Sequence, residues 1–122
     1  MCIELELPLP PTLNQYRVPV VKKGKNGKPY ATLVTSKEGK AYKSGLREYI
    51  TKIHNISHNV HVSIILYPKT KRLIDIDNYL KCLFDGLTEN NVWLDDSQVV
   101  SMYVERGEPV KGGKLYIKIS KK

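Results

Sequence analysis

No apolar run in the chain approaches the roughly 18 residues needed to cross a bilayer as a helix. The N-terminus also has no basic segment followed by a hydrophobic stretch, so neither a membrane span nor an export signal is expected. Cysteine is nearly absent. Cys2 and Cys82 lie far apart and form no Cys-x-x-Cys pattern, which excludes a structural zinc site and fits a reducing cytoplasm better than secretion. Aspartate is missing before residue 75 and after residue 96, and between Arg17 and Arg72 the only acids are Glu38 and Glu48. No internal repeat and no linker divides the chain, so residues 1–122 read as one domain.

What is present is a chain of 122 residues, 41% hydrophobic and 26% charged, long enough to bury roughly two-thirds of its unfolded surface and too apolar to be a disordered tail. Twenty Lys and Arg against twelve Asp and Glu give a net charge of +8. That figure alone predicts only an attraction to polyanions. The placement of the charges says more. All five aspartates (Asp75, Asp77, Asp85, Asp95 and Asp96) fall in one 22-residue window with Glu89 and a single cation, Lys81, so the window carries −5 and the rest of the chain +13.

Hydrophobic periodicity gives the elements. Ile3 to Leu7 alternates apolar and acidic residues, as a half-buried strand does, and Pro8, Pro10 and Pro11 end it. Tyr16 to Lys22 and Tyr30 to Thr35 read as two strands of a basic hairpin or arm, joined through Asn26-Gly27, a step that favours positive φ. Ser36 can cap a helix whose stripe is Tyr42, Leu46, Tyr49, Ile50 and Ile53. Val60, Val62, Ile64 and Leu66 alternate with His61, Ser63, Ile65 and Tyr67, predicting a well-buried strand. Asp77 or Asn78 is expected to start a second helix carrying Leu80, Leu83, Phe84 and Leu87, which Asn90-Asn91 ends. Val99 to Glu105 and Leu115 to Ile119 complete the strands. The order predicts an α/β (α+β) domain, a mixed sheet with two helices packed on it.

The chemistry is expected between Asp75 and Asp96. In an extended segment Asp75 and Asp77, at i and i+2, point to the same side and can share a cation. Mg²⁺ is held by one or two carboxylates plus waters and phosphate oxygens, so two or three aspartates suffice. On a helix Lys81 returns to the side of Asp77, on the flank of the apolar stripe, within reach of a phosphate. Each motif also has a bland reading, Asp77-Asn78 as a helix cap and Asp95-Asp96-Ser97 as a turn. Those readings leave unexplained why every aspartate of a basic chain gathers here. An EF-hand is excluded, because its sixth and twelfth positions would be Leu80 and Gly86 rather than Gly and Glu. His54, His58 and His61 lack the pattern of a zinc peptidase and read as solvated surface. Tyr16, Tyr30 and Tyr42, interleaved with lysines, would either stack on bases or pack the core.

Asp75-Ile76-Asp77-Asn78-x-x-Lys81-x-x-x-Asp85-x-Leu87, followed by Val92-Trp93-Leu94-Asp95-Asp96-Ser97-Gln98-Val99, closely resembles the signature of the RusA-type Holliday junction resolvases. Pro10-Pro11-Thr12-Leu13-Asn14-Gln15-Tyr16 and Ser36-Lys37-Glu38-Gly39-Lys40-Ala41-Tyr42 resemble that family too, so the similarity covers most of the chain. The resemblance implies a Mg²⁺-dependent endodeoxyribonuclease of bacterial or phage origin, a homodimer that resolves four-way DNA junctions by paired nicks during recombination and repair. It makes Asp75, Asp77 and Asp96 the metal-binding catalytic carboxylates, with Asp95 the neighbouring alternative to Asp96. Lys81 becomes the essential cation, and Asn78 and Asp85 supporting residues. Leu73-Ile74 is the sort of apolar pair that could wedge a junction open.

The basic residues Lys22, Lys23, Lys25, Lys28, Lys69, Lys71 and Arg72, with Lys40, Lys43 and Arg47, would hold the DNA arms through phosphates. The rival readings are a non-catalytic DNA-binding module and a nuclease for other branched DNA. The first gives no reason to gather carboxylates where phosphates must approach.

Overall fold

The alternation in strand β4 (Val60–Tyr67) sets the centre of the fold: Val60, Val62, Ile64 and Leu66 are completely buried in the computed structural model, which describes residues 2–122. Their neighbours on the same face come from β6 (Lys114–Lys121), which pairs antiparallel to β4 with Ile119 opposite Val62, Ile117 opposite Ile64 and Leu115 opposite Leu66. Strand β1 (Cys2–Leu7) continues the layer antiparallel to β6, placing Ile3, Leu5 and Leu7 opposite the same three residues. On the other side of β4 lies β5 (Val99–Arg106), and this pair is parallel. The sheet order is therefore β1-β6-β4-β5, a mixed sheet as expected.

A parallel pair cannot be closed by a tight turn and needs a crossover that covers one face of the sheet. Here the crossover is Pro68 to Gln98, the segment that contains the aspartates. Its helix α3 (Leu80–Glu89) turns Leu83 and Leu87 fully inward and packs Leu80 and Phe84 at the margin of the core, the stripe read from the sequence. Helix α2 (Lys37–Gly45), capped by the Ser36 hydroxyl accepting from the Gly39 N–H at 3.1 Å, lies against α3. The opposite face of the sheet carries His61, Ser63, Ile65 and Tyr67 from β4 with Tyr116 and Lys118 from β6, all half-buried or exposed. His61 is not a free surface group. Its ring nitrogens meet the Ser101 and Ser63 hydroxyls at 2.7 and 3.1 Å.

Strands β2 (Arg17–Lys23) and β3 (Pro29–Thr35) form the expected hairpin, with Gly27 at φ 77°, as a separate two-stranded sheet reached through the short helix α1 (Leu13–Tyr16). Two expectations need correction. The second helix does not begin at Asp77 or Asn78. The chain enters it through a 3₁₀ turn, Ile76–Tyr79, closed by the Asn78 N–H donating to the Asp75 carbonyl at 3.1 Å, and α-geometry starts at Leu80. Asp75 and Asp77 are thus arranged by a tight turn and not by strand alternation.

The stripe predicted for the first helix also stops early. After α2 the chain makes one 3₁₀ turn, Leu46–Glu48, and leaves, so Leu46 and Ile50 are buried while Tyr49 and Ile53 are 49% and 72% exposed. The cause lies further along. The His54 and Ile56 N–H groups donate to the carbonyls of Asn91 and Val92, and that pairing draws the chain off the helix axis.

Tyr16 is 1% exposed, and a Cβ added at Gly39 would fall 2.4 Å from its ring and 3.1 Å from the Thr35 methyl. Alanine in a helix ordinarily stabilises relative to glycine by roughly 1 kcal/mol. At Gly39 overpacking of about 1–3 kcal/mol should outweigh that gain. Gly39→Ala is therefore expected to lower the unfolding midpoint in urea, and an unchanged or raised midpoint would show that Tyr16 is not wedged there.

Candidate active site

The five aspartates divide into two groups. Asp85, half-buried in the second turn of α3, has both carboxylate oxygens engaged: Oδ2 accepts from the Tyr16 hydroxyl at 2.5 Å, and Oδ1 accepts from Lys81 Nζ at 3.0 Å. Asp95 is the cap of the 3₁₀ turn Asp96–Gln98. Its Oδ2 accepts from the Ser97 N–H at 3.0 Å, and Gln98 Oε1 accepts from the Leu94 and Asp95 N–H groups at 3.0 and 2.9 Å. The Ser97 side chain and then its N–H hold the Asp95 carboxyl below the ordinary carboxylate range, with Lys81 a lesser contributor. A carboxyl depressed on folding stabilises the cap above its unfolded-state pKa and loses that contribution as pH falls through the folded one.

Asp75, Asp77 and Asp96 are different. Among the described residues no side-chain hydrogen bond or ion pair engages their carboxylates, and Asp75 and Asp77 are exposed. Their segments are tied to the same two elements, α3 and β5. The turn Ile76–Tyr79 lies against β5, the turn Asp96–Gln98 lies against α3, and Lys81 at the start of α3 acts electrostatically on Asp95. Lys81 itself remains 46% exposed. No three His, Cys, Asp or Glu side chains among the described residues are gathered tightly enough to cage an ion unaided. The free donors are all carboxylate oxygens, which is the chemistry of a hard cation that keeps waters and takes its remaining ligands from a substrate phosphate. Oxygen donors of this kind would suit a hard divalent cation, with Asp75, Asp77 and Asp96 as the residues that would hold it.

The predicted DNA-binding residues fall into two places. Lys22, Lys23, Lys25 and Lys28 are exposed on the β2–β3 hairpin, and Lys69, Lys71 and Arg72 are exposed in the loop that leaves β4 for the aspartates. That loop, α2 and the Pro10–Gln15 segment border an open groove of about 630 Å³, with Thr12, Gln15, Tyr42, Lys69 and Arg72 on its walls. Lys40 and Arg47 are exposed, whereas Lys43 is occupied, with Nζ 5.5 Å from the centre of the Tyr16 ring and 3.9 Å from Glu89. Asn78 is half-buried inside the 3₁₀ turn. Leu73 is 81% exposed, but Ile74 packs against the core, so the pair does not project together.

Tyr16 and Tyr42 are packing residues, the first buried and the second largely so with its hydroxyl donating to the Pro8 carbonyl at 2.8 Å; Tyr30 alone of the three is exposed, on the hairpin. Burial raises both Tyr16 and Tyr42 well above the usual phenol range, and it pushes the Cys82 thiol up to about 12. Two residues at the site escaped the sequence reading. Gln98 clamps the Asp95–Asp96 turn by donating from Nε2 to the carbonyls of Ile56 and His58 at 2.7 and 2.9 Å. Its signal was the Asp95-x-x-Gln98 spacing of a capping box. Tyr16 had no local signal, because its partner lies 69 residues away.

Comparison with known proteins extends over almost the same span. The family model described as Endodeoxyribonuclease RusA matches residues 8–120. The crossover junction endodeoxyribonucleases RusA of Escherichia coli K12 and of Shigella sonnei are each 31% identical to this chain over 119 residues, covering 95% of it and 92% of their own length. The protein of the same name from Enterobacteria phage 82 matches equally, at 31% over the same share of both chains. A match of this extent, with the free and the engaged aspartates both inside it, shows that the chain belongs to the RusA endodeoxyribonuclease family.

Proposed function

We propose that this protein is a structure-specific endodeoxyribonuclease that resolves four-way DNA junctions by paired nicks, acting as a Mg²⁺-dependent homodimer in cytoplasmic recombination and repair. The observation that carries the reading is the division of the aspartates. Asp85 has both carboxylate oxygens in internal hydrogen bonds and Asp95 has one, while Asp75, Asp77 and Asp96 have none among the described residues of a strongly basic chain. A protein that only bound DNA would gain nothing from free carboxylates beside its phosphate-binding lysines. The names of the relatives support the junction as substrate.

Asp75, Asp77 and Asp96 would hold the ion, which when bound polarises the scissile phosphate and lowers the pKa of a coordinated water. Asp96 is preferred to Asp95 because Asp95 is already committed to its cap. The Lys81 ammonium faces the charge that builds on the phosphate oxygens as the P–O3′ bond breaks, leaving a 5′-phosphate and a 3′-hydroxyl. The hairpin lysines and the loop Lys69–Arg72 would grip the arms of the junction. Two opposed strands must be cut, and one domain carries one set of aspartates, so a two-fold homodimer is the economical assembly.

The deciding experiment compares cleavage of a four-way junction and of linear duplex in Mg²⁺, with sedimentation of the protein alone and on the junction. Symmetric nicking of the junction by a dimer supports the reading. Equal cutting of both substrates would demote it to a less selective nuclease, and binding with no cutting would leave the binding module. Affinity should also fall steeply with salt. If six of the basic residues neutralise phosphates, a fourfold rise in salt costs about a thousandfold in binding, whereas a nearly flat profile would mean that the hairpin and loop lysines do not touch the DNA.

A further inference from the structure

We infer that Tyr16, acting through Asp85, is a positioning residue that aims the Lys81 ammonium at the scissile phosphate, so the N-terminal Pro10–Tyr16 segment is part of the active-site apparatus. The inference rests on the reading of Lys81 given above. A lysine at the start of a helix carries its charge on four rotatable carbon–carbon bonds, and left to solvent it samples many rotamers. Here Nζ donates to Asp85 Oδ1 at 3.0 Å while staying 46% exposed, which leaves donors free for a substrate oxygen. An aspartate one turn away would ordinarily be a loose partner. Asp85 is not loose, because its other oxygen accepts from the Tyr16 hydroxyl at 2.5 Å.

Tyr16 in turn cannot move. Its ring is buried against Gly39, with Lys43 Nζ and the Arg17 guanidinium 5.5 and 5.7 Å from the ring centre. Its backbone is held from both sides, the N–H donating to the Thr12 carbonyl at 2.8 Å and the carbonyl accepting from the Ser36 N–H at 2.8 Å. The chain of contacts thus runs from a fixed backbone through a fixed ring and a doubly bonded carboxylate to the ammonium. Burial and the bond to Asp85 keep the phenol protonated, so the hydroxyl remains the donor across the working pH range. Asp85, which donates nothing itself, acts as the joint between two donors. It is also the acid that makes the Tyr16 hydroxyl useful, since no other side chain hydrogen bonds to that hydroxyl among the described residues.

Tyr16→Phe is the clean probe, because it removes the hydroxyl and keeps the ring that fills the space beside Gly39. The first readout is the Lys81 side chain itself by nuclear magnetic resonance, without metal or DNA. Its two ε-protons should be inequivalent in the wild type and should collapse toward one shift in Tyr16→Phe and in Asp85→Asn. The second is kinetic. Tyr16→Phe should lower kcat by roughly fivefold to twentyfold, the loss of one well-placed hydrogen bond, with KM nearly unchanged and the unfolding midpoint lowered but the protein still folded at the assay temperature. Asp85→Asn should cause a similar loss, and the double variant should be little worse than either single one. Equivalent ε-protons in the wild type, ε-protons unaffected by Tyr16→Phe, or losses that simply multiply would each overturn the inference. Lys81→Ala separates this result from the underlying reading. If Lys81→Ala cuts junctions normally, Lys81 has no role in cleavage and that reading fails. If it is inactive while Tyr16→Phe behaves as wild type, the lysine is essential and only its aiming by Tyr16 is wrong.

Discussion

Replacing Asp75 by asparagine is expected to reduce junction cleavage by on the order of a thousandfold or more while junction binding persists, because a ligand to a catalytic cation and its charge are lost together. The structure makes this an unusually clean substitution. Asparagine matches aspartate in size, Asp75 is exposed, and no hydrogen bond to its side chain would be left unpaired. Only the carbonyl of Asp75 is used internally, by the Asn78 N–H, and asparagine keeps it. Binding should not weaken. The window carries one cation against six acids, so removing a negative charge there lessens repulsion of the phosphate backbone.

The measurement is a nicking assay on a four-way junction beside a gel-shift titration in the absence of Mg²⁺. Normal cutting by Asp75→Asn would reject the assignment of the site, and loss of both cutting and binding would point to a disturbed fold. The neighbouring pair offers an internal control. Asn is as good a helix cap as Asp, so Asp95→Asn should keep most activity while Asp96→Asn should behave like Asp75→Asn; the opposite pattern would transfer the third carboxylate to Asp95.

Trp93→Ala should have the largest effect on stability, about 3–5 kcal/mol, the usual cost of emptying a buried aromatic site. Trp93 is 1% exposed, packs edge-on against Phe84 with ring centres 5.6 Å apart, and donates from its indole nitrogen to the Thr88 hydroxyl at 2.7 Å. Alanine would leave a cavity between α3 and the segment that pairs with Ile56, and it would strand Thr88 with one partner fewer. Three residues beyond Trp93 stands Asp96, so the same cavity would loosen the turn that presents the third carboxylate. Urea unfolding followed by circular dichroism measures the loss, the only tryptophan being gone. Trp93→Phe keeps much of the ring contact and gives up the indole bond, so it should cost markedly less. A loss under about 1 kcal/mol for Trp93→Ala would mean that the site collapses without a void.

The parts of this molecule that follow from one periodicity were readable in its sequence. Val60, Val62, Ile64 and Leu66 announce a central strand, and Leu80, Leu83, Phe84 and Leu87 announce the inward face of α3, because burial on one face imposes a period of two or of 3.6. Clustering of the aspartates marked the site for a comparably simple reason, since like charges gather against repulsion only where something else requires them. What escaped depended on partners far away in the chain. Nothing near Asp85 says that Tyr16 will meet it, and nothing near Ile53 says that His54 and Ile56 will pair with Asn91 and Val92 and pull Ile53 out of its stripe. The 3₁₀ entry into α3 was hidden because Asp77-Asn78 caps a helix well by composition, while the closing bond actually reaches back to Asp75. The resemblance in the motif set Asp75, Asp77 and Asp96 apart from Asp85 by their place in a signature. It did not show the bonds by which the fold engages Asp85 and Asp95.

The strand order has a consequence for the life of the chain. β6 comes last in sequence but lies between β1 and β4, so the interior of the sheet is completed from the C-terminal side. As the polypeptide emerges from a ribosome, β1 has no partner strand at all, and β4 and β5 can form no more than a parallel pair with both outer edges unpaired. The groups that would cut DNA are already made by then, but the layer that holds their segments in place is not. A nuclease ordered in this way stays unassembled until its central strand β6 has been made.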